Sequence, residues 1–135
     1  MKNTNLALIN YRRKKAADTL KDAKIMFNRV SLFTTVNRIY YAVFYEVSAL
    51  LLTKDLSSSK HSGVRALFNR EFVKPGIVKE EYADFYNRMF DSRQEADYGD
   101  FVEFDEKKVR QWLCEAEDFI KEIEKIISKT GEENE

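Results

Sequence analysis

The stretch from Val36 to Leu52 constrains this chain more than any other. Val36, Ile39, Tyr40, Val43, Phe44, Val47, Leu50 and Leu51 recur at the three- and four-residue steps of an α-helix. Tyr41, Tyr45, Ser48 and Leu52 form a second, largely apolar set on another face. A helix that is apolar on two sides needs neighbours on two sides. It must stand at the centre of a bundle, or turn one side toward another subunit. Asn37 and Arg38 occupy its first turns with no packing role, and a polar pair opening so apolar a helix hints at a site.

The remaining chain reads as helices around this one. One proline and four glycines in 135 residues leave few turns. A first helix is expected over residues 4–28, carried by Leu6, Ile9, Ala16, Leu20, Ala23 and Phe27. The central helix should end near Lys54, before a serine-rich loop (Asp55 to Ser59) suited to capping the next helix. A third helix is expected over 60–72 and a fourth over 78–96, separated by Pro75-Gly76. Gly99 to Phe104 reads as extended or looped. Asp105 is a good N-cap for a fifth helix reaching about Ser128, and Gly131 should end the order. The expectation is an all-α up-and-down bundle of about five helices: a single domain over 1–129 and a frayed acidic tail over 130–135.

Charge is balanced overall and uneven along the chain. Residues 1–74 hold 14 Lys/Arg and 5 Asp/Glu, and residues 75–135 hold 9 and 18, so the halves carry +9 and −9. Either the molecule has a basic face suited to phosphates, or basic and acidic helices pack together and neutralise each other. The single cysteine, Cys114, precludes an internal disulfide. No run approaches the roughly 18 apolar residues of a membrane span, and Met1 to Asn5 lacks the apolar core of a signal peptide. A cytoplasmic chain with no membrane association is expected.

Few residues can carry chemistry. There is no glycine-rich phosphate loop, and one His with one Cys cannot build a standard zinc site. Cys114 is expected to be a buried thiol. Asp97, Asp100, Glu103 and Asp105 lack the ordered spacing of a calcium loop, so a solvated acidic loop is expected, with no metal and no cofactor. Arg12-Arg13-Lys14-Lys15 points in all directions around a helix and reads as solvated surface. The segment Ser92-Arg93-Gln94-Glu95-Ala96-Asp97-Tyr98-Gly99 stands out. Arg93 and Asp97 are four apart and can meet on one face, and Tyr98 joins them if the helix stops at Gly99. Arg93 can clamp a phosphate in its fork, Asp97 can hold Arg93, and Tyr98 can donate, accept or stack. The bland alternative is a local ion pair beside a half-buried tyrosine.

Four segments occur in order: Asn37-Arg38-Ile39-Tyr40-Tyr41-Ala42-Val43-Phe44, Lys60-His61-Ser62-Gly63-Val64, Phe72-Val73-Lys74-Pro75-Gly76 and Arg93-Gln94-Glu95-Ala96-Asp97-Tyr98. Together they resemble the HEPN domains of bacteria and archaea, in the small stand-alone subgroup often encoded beside a minimal nucleotidyltransferase. The resemblance covers about residues 10–128. It implies a helical bundle that pairs as a homodimer. Many such proteins are metal-independent ribonucleases that act as toxins, with a site where the two subunits meet. Their usual motif is an arginine, four to six residues, then a histidine. Arg93 matches the arginine, but no histidine follows; four residues separate it from Tyr98. In related toxin–antitoxin pairs the nucleotidyltransferase silences its partner by placing AMP on a tyrosine near this motif, and Tyr98 matches that position.

His61 is the only histidine. Either it caps or packs at the start of the third helix, or it folds back toward Arg93 and supplies the acid or base that the motif lacks. Arg38, Asn37 and Arg93 are the candidates for binding a phosphate or nucleotide, with Arg38 and Arg93 expected near each other in a groove at a two-fold interface. Arg93, Asp97, Tyr98 and His61 are the candidates for catalysis. Tyr40, Tyr41 and Tyr45 can stack on a base, although their helical spacing suits core or dimer surface better. Two functions remain: an RNA-cleaving toxin of a two-gene module, or a non-catalytic module that binds a nucleotide or a nucleotidyltransferase.

Overall fold

A computed structural model describes residues 3–29, 31–99 and 103–133. Among them are five α-helices and no strand: α1 (Asn3–Asn28), α2 (Leu32–Leu52), α3 (His61–Phe68), α4 (Glu80–Tyr98) and α5 (Glu106–Glu133). The all-α bundle is as expected, and α2 is its centre, packed against α1, α3, α4 and α5. Both of its apolar sets are used. Val36, Ile39, Tyr40, Val43, Val47, Leu50 and Leu51 are fully buried, while Tyr41 and Tyr45 stay half-exposed along one edge. Truncating a buried leucine such as Leu50 to alanine costs about 2–5 kcal/mol in such a core. No described helix is long and apolar enough to cross a membrane.

Local chemistry sets the helix ends. Ser31 caps α2, its hydroxyl accepting from the Thr34 N–H. Asp55, at φ 57°, takes the left-handed conformation after α2, and the Leu56 N–H closes the end on the Leu51 carbonyl. The serine loop does not cap α3. Lys60 holds the N-cap position without a side-chain bond, and Ser58 instead accepts from the Lys60 N–H. The expected third helix is interrupted by a π-helical turn over Asn69–Val73, where the Lys74 N–H reaches back five residues to Asn69. Val64, Phe68 and Phe72, spaced by fours, drift forward around a regular helix. The wider turn cancels that drift, and all three are buried.

Gly76, at φ 86°, reverses the chain, and Val78 is pinned before α4 by its N–H bond to Phe72. α5 does not stop at Ser128 or Gly131; it runs through to Glu133. A glycine costs a helix about 1 kcal/mol but ends it only where the chain must turn. The two charged halves meet in the bundle: Arg13 pairs with Glu124, Lys24 with Glu117 and Arg65 with Asp91.

Candidate functional site

Arg93 is the centre of the site. One turn before the end of α4, its Nε lies 2.9 Å from Asp97 Oδ2, the pair expected from the four-residue spacing. The contact is ionic rather than hydrogen-bonded, since Nε makes no hydrogen bond among the described residues. Nη2 donates to the Tyr41 hydroxyl at 3.2 Å, and the guanidinium lies 5.6 Å from the centres of both the Tyr40 and Tyr41 rings. Arg38 meets the same Tyr41 ring at 5.2 Å. Its Nε and Nη2 both donate to Asn37 Oδ1, at 3.1 and 2.7 Å. One tyrosine of α2 thus gathers Arg38 and Arg93, so the two arginines lie near each other. Beside them Phe33, Thr34, Asn37, Ala96 and Asp97 line a hollow of about 240 Å³.

His61 packs at the start of α3 and also lies beside the tyrosines that hold Arg93. It is the first residue of α3, and its ring stacks on Phe44 at 4.4 Å between centres. It also joins the arginine cluster. Nδ1 lies 2.7 Å from the Tyr40 hydroxyl, and the Tyr40 and Tyr41 rings each lie 5.7 Å from the imidazole. Burial, and then the positive charge of Arg93, hold His61 below its usual range, so the imidazole is neutral at neutral pH. Tyr40 is pushed up to about 12, first by burial, and stays a phenol. Behind it the buried Tyr86 is raised as well, by burial and by Tyr40.

Several expectations need correction. Cys114 is exposed, not buried; α5 turns it toward a surface hollow shared with Lys24, Phe27 and Arg110, because the apolar stripe passes through its neighbour Leu113. The basic run of α1 is not uniformly solvated. Arg13 donates from Nε and Nη2 to Glu124 of α5 and Arg12 is half-buried, leaving Lys14 and Lys15 exposed. Tyr98 ends α4, but its side chain lies outside the described residues, as does Asp100. Among the described residues, no three His, Cys, Asp or Glu side chains gather as a metal site.

The link from Tyr40 to His61 was not read from the sequence. Tyr40 reads as a stripe residue or a ring for base stacking, and no local spacing joins two positions 21 apart.

A family model of the HEPN domain matches residues 9–126. The chain belongs to the HEPN domain family. This HEPN chain is 54% identical to a UPF0332 protein of Thermotoga maritima over 125 residues, covering 93% of it and 95% of the relative. A protein of Methanocaldococcus jannaschii named "Putative toxin MJ0142" is 35% identical over 116 residues, 85% of the HEPN chain and 79% of the relative. A second from that organism, "Putative toxin MJ0605", is 35% identical over 114 residues, 84% of each chain.

Proposed function

We propose that this chain is the toxin-like component of a two-gene HEPN/nucleotidyltransferase module. On this reading it is a metal-independent endoribonuclease, with its site formed around Arg93 where two copies meet. The observation that carries the reading is the convergence on Tyr40 and Tyr41 of two arginines and one neutral histidine. Two relatives of similar length each carry the name "Putative toxin", which fits.

RNA cleavage through the 2′-hydroxyl needs a proton acceptor, a proton donor and positive charge on the phosphate. Arg93 and Arg38 supply the charge, and Asp97 orients Arg93. His61 takes the 2′-hydroxyl proton as O2′ attacks phosphorus. The P–O5′ bond breaks, leaving a 2′,3′-cyclic phosphate, and the departing O5′ takes its proton from Tyr98. The base role requires Nδ1–H of His61 to donate to Tyr40, which leaves Nε2 as the acceptor.

The second reading is a non-catalytic module that binds a nucleotide or a nucleotidyltransferase. It is favoured by one feature: no histidine follows Arg93 in the segment that matches the family motif. The test is cleavage of RNA by the purified protein in EDTA, beside Arg93→Ala. Cleavage by the wild type alone supports the ribonuclease. No cleavage by a folded, dimeric wild type whose intact mass is unmodified sinks the ribonuclease in favour of the binding module.

A further inference from the structure

A cavity of about 350 Å³ lies away from Arg93, between α1, α2 and the serine loop. Its lining includes Tyr11, Arg12, Lys15, Tyr45, Ser57 and Ser58 and no carboxylate. Among the described residues no acid lies within ion-pair distance of Arg12 or Lys15, although their neighbours Arg13 and Lys14 are both paired. Among the described residues, the only hydrogen bond of the Arg12 side chain runs from Nη1 to the Ser48 carbonyl, at 3.4 Å. Burial already lowers the Arg12 pKa, and no described carboxylate lies within ion-pair distance to favour its charge. Two cations facing a cavity without counter-charge fit an anion from outside.

The aromatic lining narrows the class of anion. Lys15 Nζ lies 4.6 Å from the centre of the Tyr45 ring and 5.8 Å from that of Tyr11, which is 61% exposed. Rings beside cations are what a single-stranded nucleic acid meets, since every base has a face to stack. The cleft lies on the same side of α2 as Tyr41. The Tyr45 ring lies 5.8 Å from Tyr41, and a neighbouring hollow lined by Tyr11, Lys15 and Arg38 also carries Asp18 and Asp22 in its wall. The far wall is fixed by a glycine: a Cβ on Gly63 would fall 2.1 Å from Ser58 Oγ and 2.9 Å from Ser58 Cβ.

We infer that this cleft holds a flanking nucleotide of a single-stranded RNA whose reacting phosphate lies at Arg93. Arg12 and Lys15 take the flanking phosphate, and the base stacks on Tyr11 or Tyr45. The inference rests on the RNA reading of the Arg93 site, but its test does not need cleavage.

Binding of a short, labelled 2′-O-methyl RNA, which cannot be cut through its 2′-oxygen, is measured by fluorescence anisotropy over a range of salt. Lys15→Gln and Arg12→Gln each weaken binding by about tenfold and reduce the log–log salt slope by about 0.7. Tyr11→Ala weakens binding without changing the slope. Gly63→Ala weakens it by displacing Ser58, and circular dichroism confirms that each variant is folded. Unchanged affinity and slope in folded Lys15→Gln overturn the inference, as does displacement of the RNA by AMP at equal concentration. If the wild type cleaves RNA while the cleft variants bind normally, the cleft alone falls. If the wild type does not cleave but binds with these dependences, the cleft stands and the ribonuclease falls.

Discussion

His61 Nδ1 lies 2.7 Å from the hydroxyl of Tyr40, a residue buried at the centre of the bundle. The bond ties the only histidine to the core, and among the described residues its other nitrogen has no hydrogen-bond partner. Because there is one histidine, its titration can be followed by NMR without assignment. The midpoint falls below the ordinary 6.5, because burial and Arg93 both disfavour the imidazolium. Arg93→Ala removes a like charge and raises the midpoint. A midpoint at or above 6.5 in the wild type would show that the imidazole does not share the field of Arg93. If His61 is the base, the acid limb of the cleavage rate follows the same midpoint and moves with it.

Arg93 also bears a geometric demand. Its fork serves Asp97 on one side and Tyr41 on another, which an ammonium cannot copy. Arg93→Lys keeps the charge, yet cleavage falls by at least about a hundredfold, the usual scale for losing one donor to a developing oxyanion. Asp97→Asn leaves the guanidinium in place but loosens it, and costs about tenfold, in kcat more than KM. Equal losses from both variants would make Asp97 a direct participant rather than a positioning residue.

What was legible in the sequence follows from periodicity and short range. The stripe on α2 and the Arg93–Asp97 pair depend on steps of three and four, which a sequence displays openly. The pairing of Arg13 with Glu124 and of Tyr40 with His61 depends on the order in which helices pack, which no spacing encodes. Cys114 was misjudged for a related reason. It neighbours the apolar stripe of α5, and one position around a helix is about 100° of rotation, enough to carry a thiol from core to solvent. The break in the third helix was hidden because Phe68 and Phe72 fit an ordinary helical step equally well.

Phe33 points to how two copies would meet. It is 47% exposed, in edge contact with Phe104, on the rim of the hollow that Asn37 and Asp97 line. An exposed aromatic beside a candidate site is a natural anchor for an interface. Sedimentation of the wild type at micromolar concentration should give a dimer. Phe33→Asp should weaken it by about thirtyfold or more and remove cleavage without unfolding the chain. A wild type that sediments as a monomer sinks the shared-site reading.

Tyr98 occupies the last position of α4, five residues past Arg93. If a nucleotidyltransferase encoded beside this chain silences it there, incubation with that enzyme and ATP adds the mass of one AMP. Tyr98→Phe then abolishes the addition. An unchanged intact mass of the wild type shows that Tyr98 is not an acceptor for that enzyme.

Glu46 presents a different problem, because an acid stands fully buried in the middle of α2. Neither carboxyl oxygen has a hydrogen-bond partner among the described residues. Burial first, and then the neighbouring Glu124, raise its pKa far above the usual carboxylate range, so it is neutral in the folded protein at pH 7. Burial also opposes the charge on Glu124, but hydrogen bonds from Arg13 hold that carboxylate below its ordinary value. Unfolding frees Glu46 to ionise near 4.5. Its contribution to stability is therefore full below that pH and is lost progressively as pH rises toward the folded value. Glu46→Gln keeps the shape and cannot ionise. From pH 5 to 8 the stability of the variant relative to wild type should grow by up to about 1.4 kcal/mol per pH unit. Urea unfolding at a series of pH values measures this directly. Parallel curves would mean that Glu46 is already charged in the fold, stabilised by Arg13 in competition with Glu124.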